Sequence, residues 1–554
     1  MKNGINKFSF DQRSEILKQA EKETYDLIVI GGGVTGCGIA LDAASRGIKT
    51  LLIDKNDIAS GTSSKSTKLI HGGLRYLKQF DIGLVTKTGR ERAVVHRLAP
   101  HLTHPEKMLL PIVKNGNYGR LLSSFGLWVY DLLAGVKGKD KRRMLSRKQT
   151  LRQEPLLNKQ AIIAGFLYAE YRTDDARLCI ELAKTASRLG AHLVTYTQLT
   201  DFIYQDKKIV GIKCRDLDED HAYSIKSKYV VSAAGPWVDQ IRKLNKSIDK
   251  KRLHLTKGVH IVFDRTKLPI KNSVYFDGPD GRMIFAIPRG NITYVGTTDT
   301  TYKEDPEDVK ANKEDVTYLL KAINYGFPAV SVTIDDVRST WAGLRPLIHE
   351  EGKSPSDISR KDEIFEAEDG LVSIAGGKLT GYRRMALEIV DLIAKKLKKS
   401  SDKIIYKSGT NSIHLTEDHF GNYRNVKRYV KKTAKRLAER GLDPRHAEYL
   451  VFNYGKQAKV ILNSIKKSTK DPEEVLLMAE LDFCLEHEMV LSTMDFLERR
   501  TGRLYFDIES VMKYHKKVHN KMAKVRAWDD ARKRRDGKII QGAISNTLAF
   551  KNKT

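Results

Sequence analysis

A glycine pattern near the N-terminus constrains this chain more than any other feature. Residues 25–30, Tyr-Asp-Leu-Ile-Val-Ile, form a short apolar run that stops at Gly31, Gly32 and Gly33, as a buried parallel strand does. A helical stretch over 37–46 follows Val34, Thr35 and Gly36. After Gly47 a second apolar run, 49–53, is closed by Asp54. Strand, glycine turn, helix and strand make a complete βαβ unit. Gly31, Gly33 and Gly36 stand in the spacing G-x-G-x-x-G. One glycine permits the tight turn, one lets the backbone approach a pyrophosphate, and one lets helix pack on strand. The helix start offers free N–H groups and the positive end of its dipole to phosphates. Asp54 stands where an acid accepts hydrogen bonds from ribose hydroxyls. The pattern therefore predicts a dinucleotide ligand.

NAD and FAD both use this fingerprint, and two later segments favour FAD. Residues 371–375 form an apolar run followed by Gly376-Gly377-Lys378-Leu379-Thr380-Gly381-Tyr382-Arg383, a second strand, turn and helix. A long flavin spans a fold from the first glycine turn to such a late element. The run 231–237, Val-Ser-Ala-Ala-Gly-Pro-Trp, ends a third strand in small residues, with Gly235 suited to close approach.

Further strand-like runs lie at 194–196, 209–214, 229–233, 259–263, 283–287 and 294–296. Helical patterns occupy 176–189 and 382–398. Beyond about residue 415 the chain reads as helices, at 426–440, 446–454, 472–487 and 493–500. The division this suggests is a cofactor-binding part over 20–250 with an insertion at 110–160, an antiparallel substrate sheet over 251–335, a return to the cofactor part over 336–400, and a helical domain over 405–535. The four cysteines, Cys37, Cys179, Cys214 and Cys484, form no C-x-x-C pair, which argues against a disulfide framework or a zinc ribbon. No metal is expected. The start of the chain lacks the apolar core of a signal peptide, and no run is long enough to span a bilayer.

Several segments resemble the FAD-dependent glycerol-3-phosphate dehydrogenases, the respiratory type that feeds quinones. They are 61–64 (GTSS), 67–77 (TKLIHGGLRYL), 170–178 (EYRTDDARL), 234–239 (AGPWVD), 296–300 (GTTDT), 341–347 (WAGLRPL), 376–383 (GGKLTGYR) and 497–504 (LERRTGRL). The likeness runs from about residue 10 to 530. It implies an α/β fold of the D-amino-acid-oxidase/glutathione-reductase type, with a Rossmann-like FAD domain, an antiparallel-sheet substrate domain and a C-terminal all-α domain. It also implies oxidation of sn-glycerol 3-phosphate to dihydroxyacetone phosphate, with FAD and its phosphates held by Gly31, Gly33, Gly36, Asp54, Ser63, Ser64, Gly235, Gly376, Gly377, Lys378, Leu379 and Thr380.

A phosphorylated triol needs cations for its dianion and donors for its hydroxyls, and arginine's planar fork suits phosphate. Taken singly, an arginine is more often a structural or solvated ion pair. Arg75, Arg345, Arg360 and Lys378 stand in segments that the resemblance gathers round the substrate, with Tyr76 as a hydroxyl donor. The base that takes the substrate's hydroxyl proton should titrate near working pH, which histidine does unaided. The resemblance puts the His71 loop beside the flavin, so His71 is the expected base. Lys257 is the second candidate, because a lysine desolvated among cations has a lowered pKa.

Ninety-eight Lys+Arg against 68 Asp+Glu leave a formal charge of +30, spread along the chain rather than held in a tail. Such a field attracts polyanions. The apolar stretch 121–136 carries Phe, Trp and Tyr and is followed by Lys137, Lys139, Lys141, Arg142 and Arg143. It fits either an interfacial helix or a helix buried against the cofactor domain. The expected protein is cytoplasmic, held at the inner face of the membrane by anionic lipid, with a quinone as electron acceptor and a homodimer as its assembly. The alternatives are an oxidase that reduces oxygen to hydrogen peroxide, an amine or amino-acid oxidase on the same fold, and a nucleic-acid-binding protein with structural FAD. No nucleic-acid-binding motif supports the last.

Overall fold

The computed structural model describes residues 8–71, 82–114, 116, 142–249, 251–350, 362–400, 403–416, 418–465 and 471–551. Two sheets organise these residues. The first has the order β17 (Glu363–Glu366), β18 (Val372–Ala375), β10 (His221–Ser232), β1 (Thr24–Ile30), β2 (Thr50–Ile53) and β7 (His192–Val194). From β18 to β7 the pairs are parallel, with Leu27 opposite Tyr229 on one side and Thr50 on the other. Both faces are covered, which explains why residues 25–30 are all buried and read as a continuous apolar run. Helices Val34–Ser45, Asp175–Arg188 and Tyr382–Ser400 cover one face. Helix Asp11–Lys22 packs on the other, beside the meander of β8 (Thr197–Gln205) and β9 (Lys208–Asp216).

The βαβ turn is as tight as its glycines suggest. A Cβ on Gly36 would lie 1.8 Å from the Gly31 carbonyl oxygen. Gly31 has φ +111°, and a Cβ there would meet the Ala233 carbonyl at 2.6 Å. Neither position admits a side chain without moving the strand beside it.

The second sheet is built around β11 (Lys251–Asp264), which pairs antiparallel with β16 (Val337–Glu350) along nearly its whole length and with β14 (Ile292–Gly296) on its other side. The sheet continues through β13 (Met283–Arg289), β12 (Ser273–Asp277), β4 (Thr103–Val113) and β6 (Ile162–Thr173) to β3 (Leu69–Ile70), while β5 (Arg143–Ser146) and β15 (Thr300–Thr301) add at its margins. It draws strands from both sides of the 251–335 segment. A cut at residue 336 would part β16 from the strand it pairs with.

Helix Lys313–Gly326 packs on one face of this sheet against Val259, Ile261 and Phe263. The C-terminal helices pack on the other, where Val262, Tyr294 and Trp341 share a core with Tyr454, Phe496 and Leu504. The four helices expected beyond residue 415 are all present, and in the last of them residues Asp495–Arg500 wind as a π-helical turn.

The motif at 170–178 has a structural explanation. Asp174 caps helix Asp175–Arg188 by accepting from the Arg177 N–H and also pairs with Arg289. Asp175 pairs with the buried Lys68, and Arg177 pairs with Glu488 of the helical domain at 2.6 Å. Among the described residues no helix is long and apolar enough to cross a membrane, and no cluster of metal-ligating side chains occurs.

Candidate active site

A cavity of about 1110 Å³ opens where the C-terminal ends of β1, β10 and β18 face β11, β13 and β16. Ligands of open α/β sheets bind at such strand ends. Ligand pockets usually measure about 300–1,000 Å³, so this one has room for a large cofactor and a small substrate.

The first glycine turn forms one end. Gly31, Gly33, Val34 and Thr35 line the cavity, with the N-terminus of helix Val34–Ser45 open to it. The Gly32 N–H donates to Asp54 Oδ2 at 2.6 Å and the Asn56 N–H to Asp54 Oδ1 at 2.7 Å. Burial pushes the Asp54 carboxyl up to about 6, against the pull of those two N–H donors. Hydroxyl donors arriving on this carboxylate would favour its charged form. Ser63 Oγ accepts from the Val34 N–H at 2.9 Å, at the start of the helix.

Two other strand ends complete this half. Gly235 (φ +54°) follows β10, and Gly376 (φ +79°) and Gly377 (φ +74°) follow β18. Lys378, Leu379 and Thr380 also line the wall. The Thr380 hydroxyl donates to the His71 carbonyl at 3.2 Å, which ties the late glycine turn to the His71 segment. His71 faces the cavity with its ring edge-on to Phe285, centroids 5.8 Å apart.

The second sheet supplies the opposite wall. On β11 and β16, pairing places Thr256 opposite Arg345, Gly258 opposite Gly343 and His260 opposite Trp341. These residues share one face, because strand side chains alternate. The Arg345 guanidinium donates to Asp299 at 3.1 Å, to Thr297 Oγ1 at 3.0 Å and to the Thr298 carbonyl at 3.2 Å. It lies against Gly258, where a Cβ would come within 2.4 Å of Nη2. The same alternation turns Lys257 to the other face. Its ammonium pairs with Asp315 of helix Lys313–Gly326 at 2.6 Å, and it is not among the cavity-lining residues.

One cavity thus brings together Gly31, Gly33, Asp54, Ser63, His71, Gly235, Arg345, Gly376, Gly377, Lys378, Leu379 and Thr380. Gly36 and Ser64 lie behind its wall: Gly36 packs helix on strand, and Ser64 is buried with its carbonyl accepting from Lys68. Arg75, Tyr76, Arg360 and the 121–136 stretch fall outside the described residues.

His260 is a cavity residue that the motif reading passed over. It stacks on Trp341 at 4.6 Å, and its Nε2 lies 3.0 Å from Thr67 Oγ1. Burial, together with Arg345 and Lys68, holds its pKa well below the usual histidine range. Period two along 254–260 would have separated it from Lys257 and flagged it.

These residues fit FAD: a glycine cradle that excludes Cβ atoms, a helix N-terminus for phosphates, a half-buried acid for ribose, and two further strand ends converging on one cavity. A model described as "FAD dependent oxidoreductase" matches residues 26–383, and one described as the C-terminal domain of α-glycerophosphate oxidase matches residues 410–533. The chain is 47% identical over 547 residues to the aerobic glycerol-3-phosphate dehydrogenase of Bacillus subtilis, covering 97% of this chain and 99% of that one. It is 48% identical to the Staphylococcus haemolyticus enzyme of the same name, over 96% of both chains. The crystal structure of the FAD-complexed glycerol-3-phosphate dehydrogenase from Bacillus halodurans superposes with a TM-score of 0.84 at 39% identity, covering 99% of this chain and 100% of that one. A cavity built for FAD, on a fold and sequence shared over nearly the whole length with these relatives, places the chain in the aerobic glycerol-3-phosphate dehydrogenase family of FAD-dependent enzymes.

Proposed function

We propose that this enzyme oxidises sn-glycerol 3-phosphate to dihydroxyacetone phosphate and passes the electrons to a quinone at the membrane surface. The observation that carries this reading is the meeting of His71, Arg345 and Lys378, from three distant segments, in the cavity that the glycine fingerprint opens. Bound FAD supplies the acceptor for the hydride that leaves C2 of the substrate. His71 takes the hydroxyl proton from the same carbon as the ketone forms. Arg345 and Lys378 hold the phosphate, with Arg75, Tyr76 and Arg360 proposed to complete its shell. Arg345 is oriented before substrate arrives by Asp299, Thr297 and the Thr298 carbonyl, which lowers the entropy lost on binding. Lys257 acts structurally, since Asp315 already holds its ammonium.

The acceptor is the finer point. A quinone requires access to lipid, and the +30 charge favours an anionic leaflet. One observation favours the oxidase reading instead: the helical domain matches a model described from α-glycerophosphate oxidase. Anaerobic bleaching of the flavin by sn-glycerol 3-phosphate tests the first half of the proposal, and absence of bleaching would refute it. Adding air or a soluble quinone analogue to the reduced enzyme tests the second half. Fast reoxidation by quinone and slow reoxidation by air are expected. Rapid reaction with air and stoichiometric peroxide would transfer the assignment to the oxidase.

A further inference from the structure

The loop 54–60 carries Asp54 on its cavity side. The Ala59 N–H donates to the Gly32 carbonyl at 3.0 Å, so the loop also closes directly on the glycine turn. Its other side is held by the helical domain. Asp57, fully buried, accepts from Arg500 Nη1 and Nη2 at 2.5 and 2.9 Å in a bidentate pair and from Arg499 Nε at 2.6 Å. None of these three residues lines the cavity.

Both arginines belong to the π-helical turn Asp495–Arg500, and such turns recur at functional sites. The turn is itself braced. Arg499 also pairs with Asp495 and Glu498, and Arg500 donates to the Glu488 carbonyl at 2.7 Å. A second path runs through Tyr196. Its hydroxyl donates to Asp495 at 2.6 Å, its N–H donates to the Asn56 carbonyl at 3.0 Å, and the next N–H, of Thr197, donates to the Asp54 carbonyl at 2.7 Å.

Charged groups of the helical domain therefore grip, from behind, the loop that presents the ribose-binding acid. We propose that the C-terminal helical domain is a working part of the FAD site. Arg499 and Arg500 act as positioning residues that fix loop 54–60 through Asp57, and FAD binding and docking of the 488–500 segment stabilise each other. Such coupling is reciprocal and typically amounts to about 5- to 150-fold in affinity. Arginine is required at 500 because lysine cannot make the bidentate contact.

Two measurements test this. In the first, amide hydrogen exchange of the full-length wild-type chain is compared with and without FAD. Protection should rise at 31–36, at 54–60 and at 495–500, while helix Tyr423–Ala438 stays unchanged. Protection at 31–36 without any change at 495–500, or an equal rise across Tyr423–Ala438, would overturn the coupling. In the second, FAD affinity is measured by fluorescence quenching for Arg500→Lys and Arg500→Gln. Dissociation constants should rise in that order, the Gln variant by about 5- to 150-fold. Wild-type affinity in both variants would overturn the positioning role. If the Gln variant does not fold, the Lys variant and the wild-type exchange data still decide the matter.

Discussion

His71 and Arg345 come from the end of β3 and from β16, and removing each should have a distinct consequence. His71→Ala should slow anaerobic flavin reduction by about 10²–10⁴-fold, the usual contribution of a positioned base, while FAD stays bound. Rapid mixing without oxygen reads that half-reaction alone. Arg345→Ala removes a charge-assisted contact, so KM for glycerol 3-phosphate should rise by about 10- to 150-fold with FAD content preserved. Asp54 gives a pH signature. Its carboxyl is raised to about 6 in the folded protein, so its contribution to apoprotein stability is fully present below about pH 4. That contribution is lost as pH rises through about 6, because the native state then holds an ionised, half-buried acid. Asp54→Asn should remove this part of the apoprotein's melting-temperature profile between about pH 4 and 6. Superimposable profiles for variant and wild type would exclude the assignment.

The β11–β16 pair shows how one element separates chemistry from structure. Its cavity face carries Gly258, His260, Gly343 and Arg345, and Lys257 on the other face pairs with Asp315. Removing one partner of a buried pair leaves the other charge uncompensated and costs about 3–5 kcal/mol. Lys257→Ala should therefore lower the unfolding midpoint sharply while the bleaching rate per bound flavin stays close to wild type. A lost rate in a stable variant would return Lys257 to the reaction. In the first βαβ unit, Gly36→Ala would drive a methyl group to within 1.8 Å of the Gly31 carbonyl. Loss of FAD from the purified protein is the expected outcome, read from the flavin-to-protein absorbance ratio.

Across the whole molecule the cavity lies between two sheets with the helical domain behind it. One sheet supplies the glycine turn, the other supplies Arg345, and Arg499 and Arg500 of the helical domain hold Asp57 of loop 54–60. The surface carries a large positive excess, and electrostatic binding to lipid weakens as salt screens it. Binding to vesicles containing phosphatidylglycerol, measured by co-sedimentation, should be strong at low salt, fall steeply with ionic strength and be weak on neutral vesicles. Equal binding to both lipids would exclude an electrostatic contact.

The βαβ unit, its glycines, Asp54, the late Gly376-Gly377 turn and the helical C-terminus were legible in the sequence because residue type and spacing within each short segment carry the pattern. Gly36 is demanded by the Gly31 carbonyl a few residues back, a local constraint. Gly31 instead packs against Ala233, and the run at 25–30 is covered by helices distant in sequence, so there the residues show the requirement without naming the partner. The position of Lys257 was not legible in the same way. A lysine near a substrate sheet is a plausible base until the register of β11 against β16, and the helix packed behind it, show which face it occupies. His260 gained its place by the same register. The breadth of the second sheet and the grip of Arg499 and Arg500 on Asp57 join residues hundreds of positions apart. Nothing in a linear pattern records those pairings, since the energy that selects them comes from burying charges together only after the sheets and helices have docked.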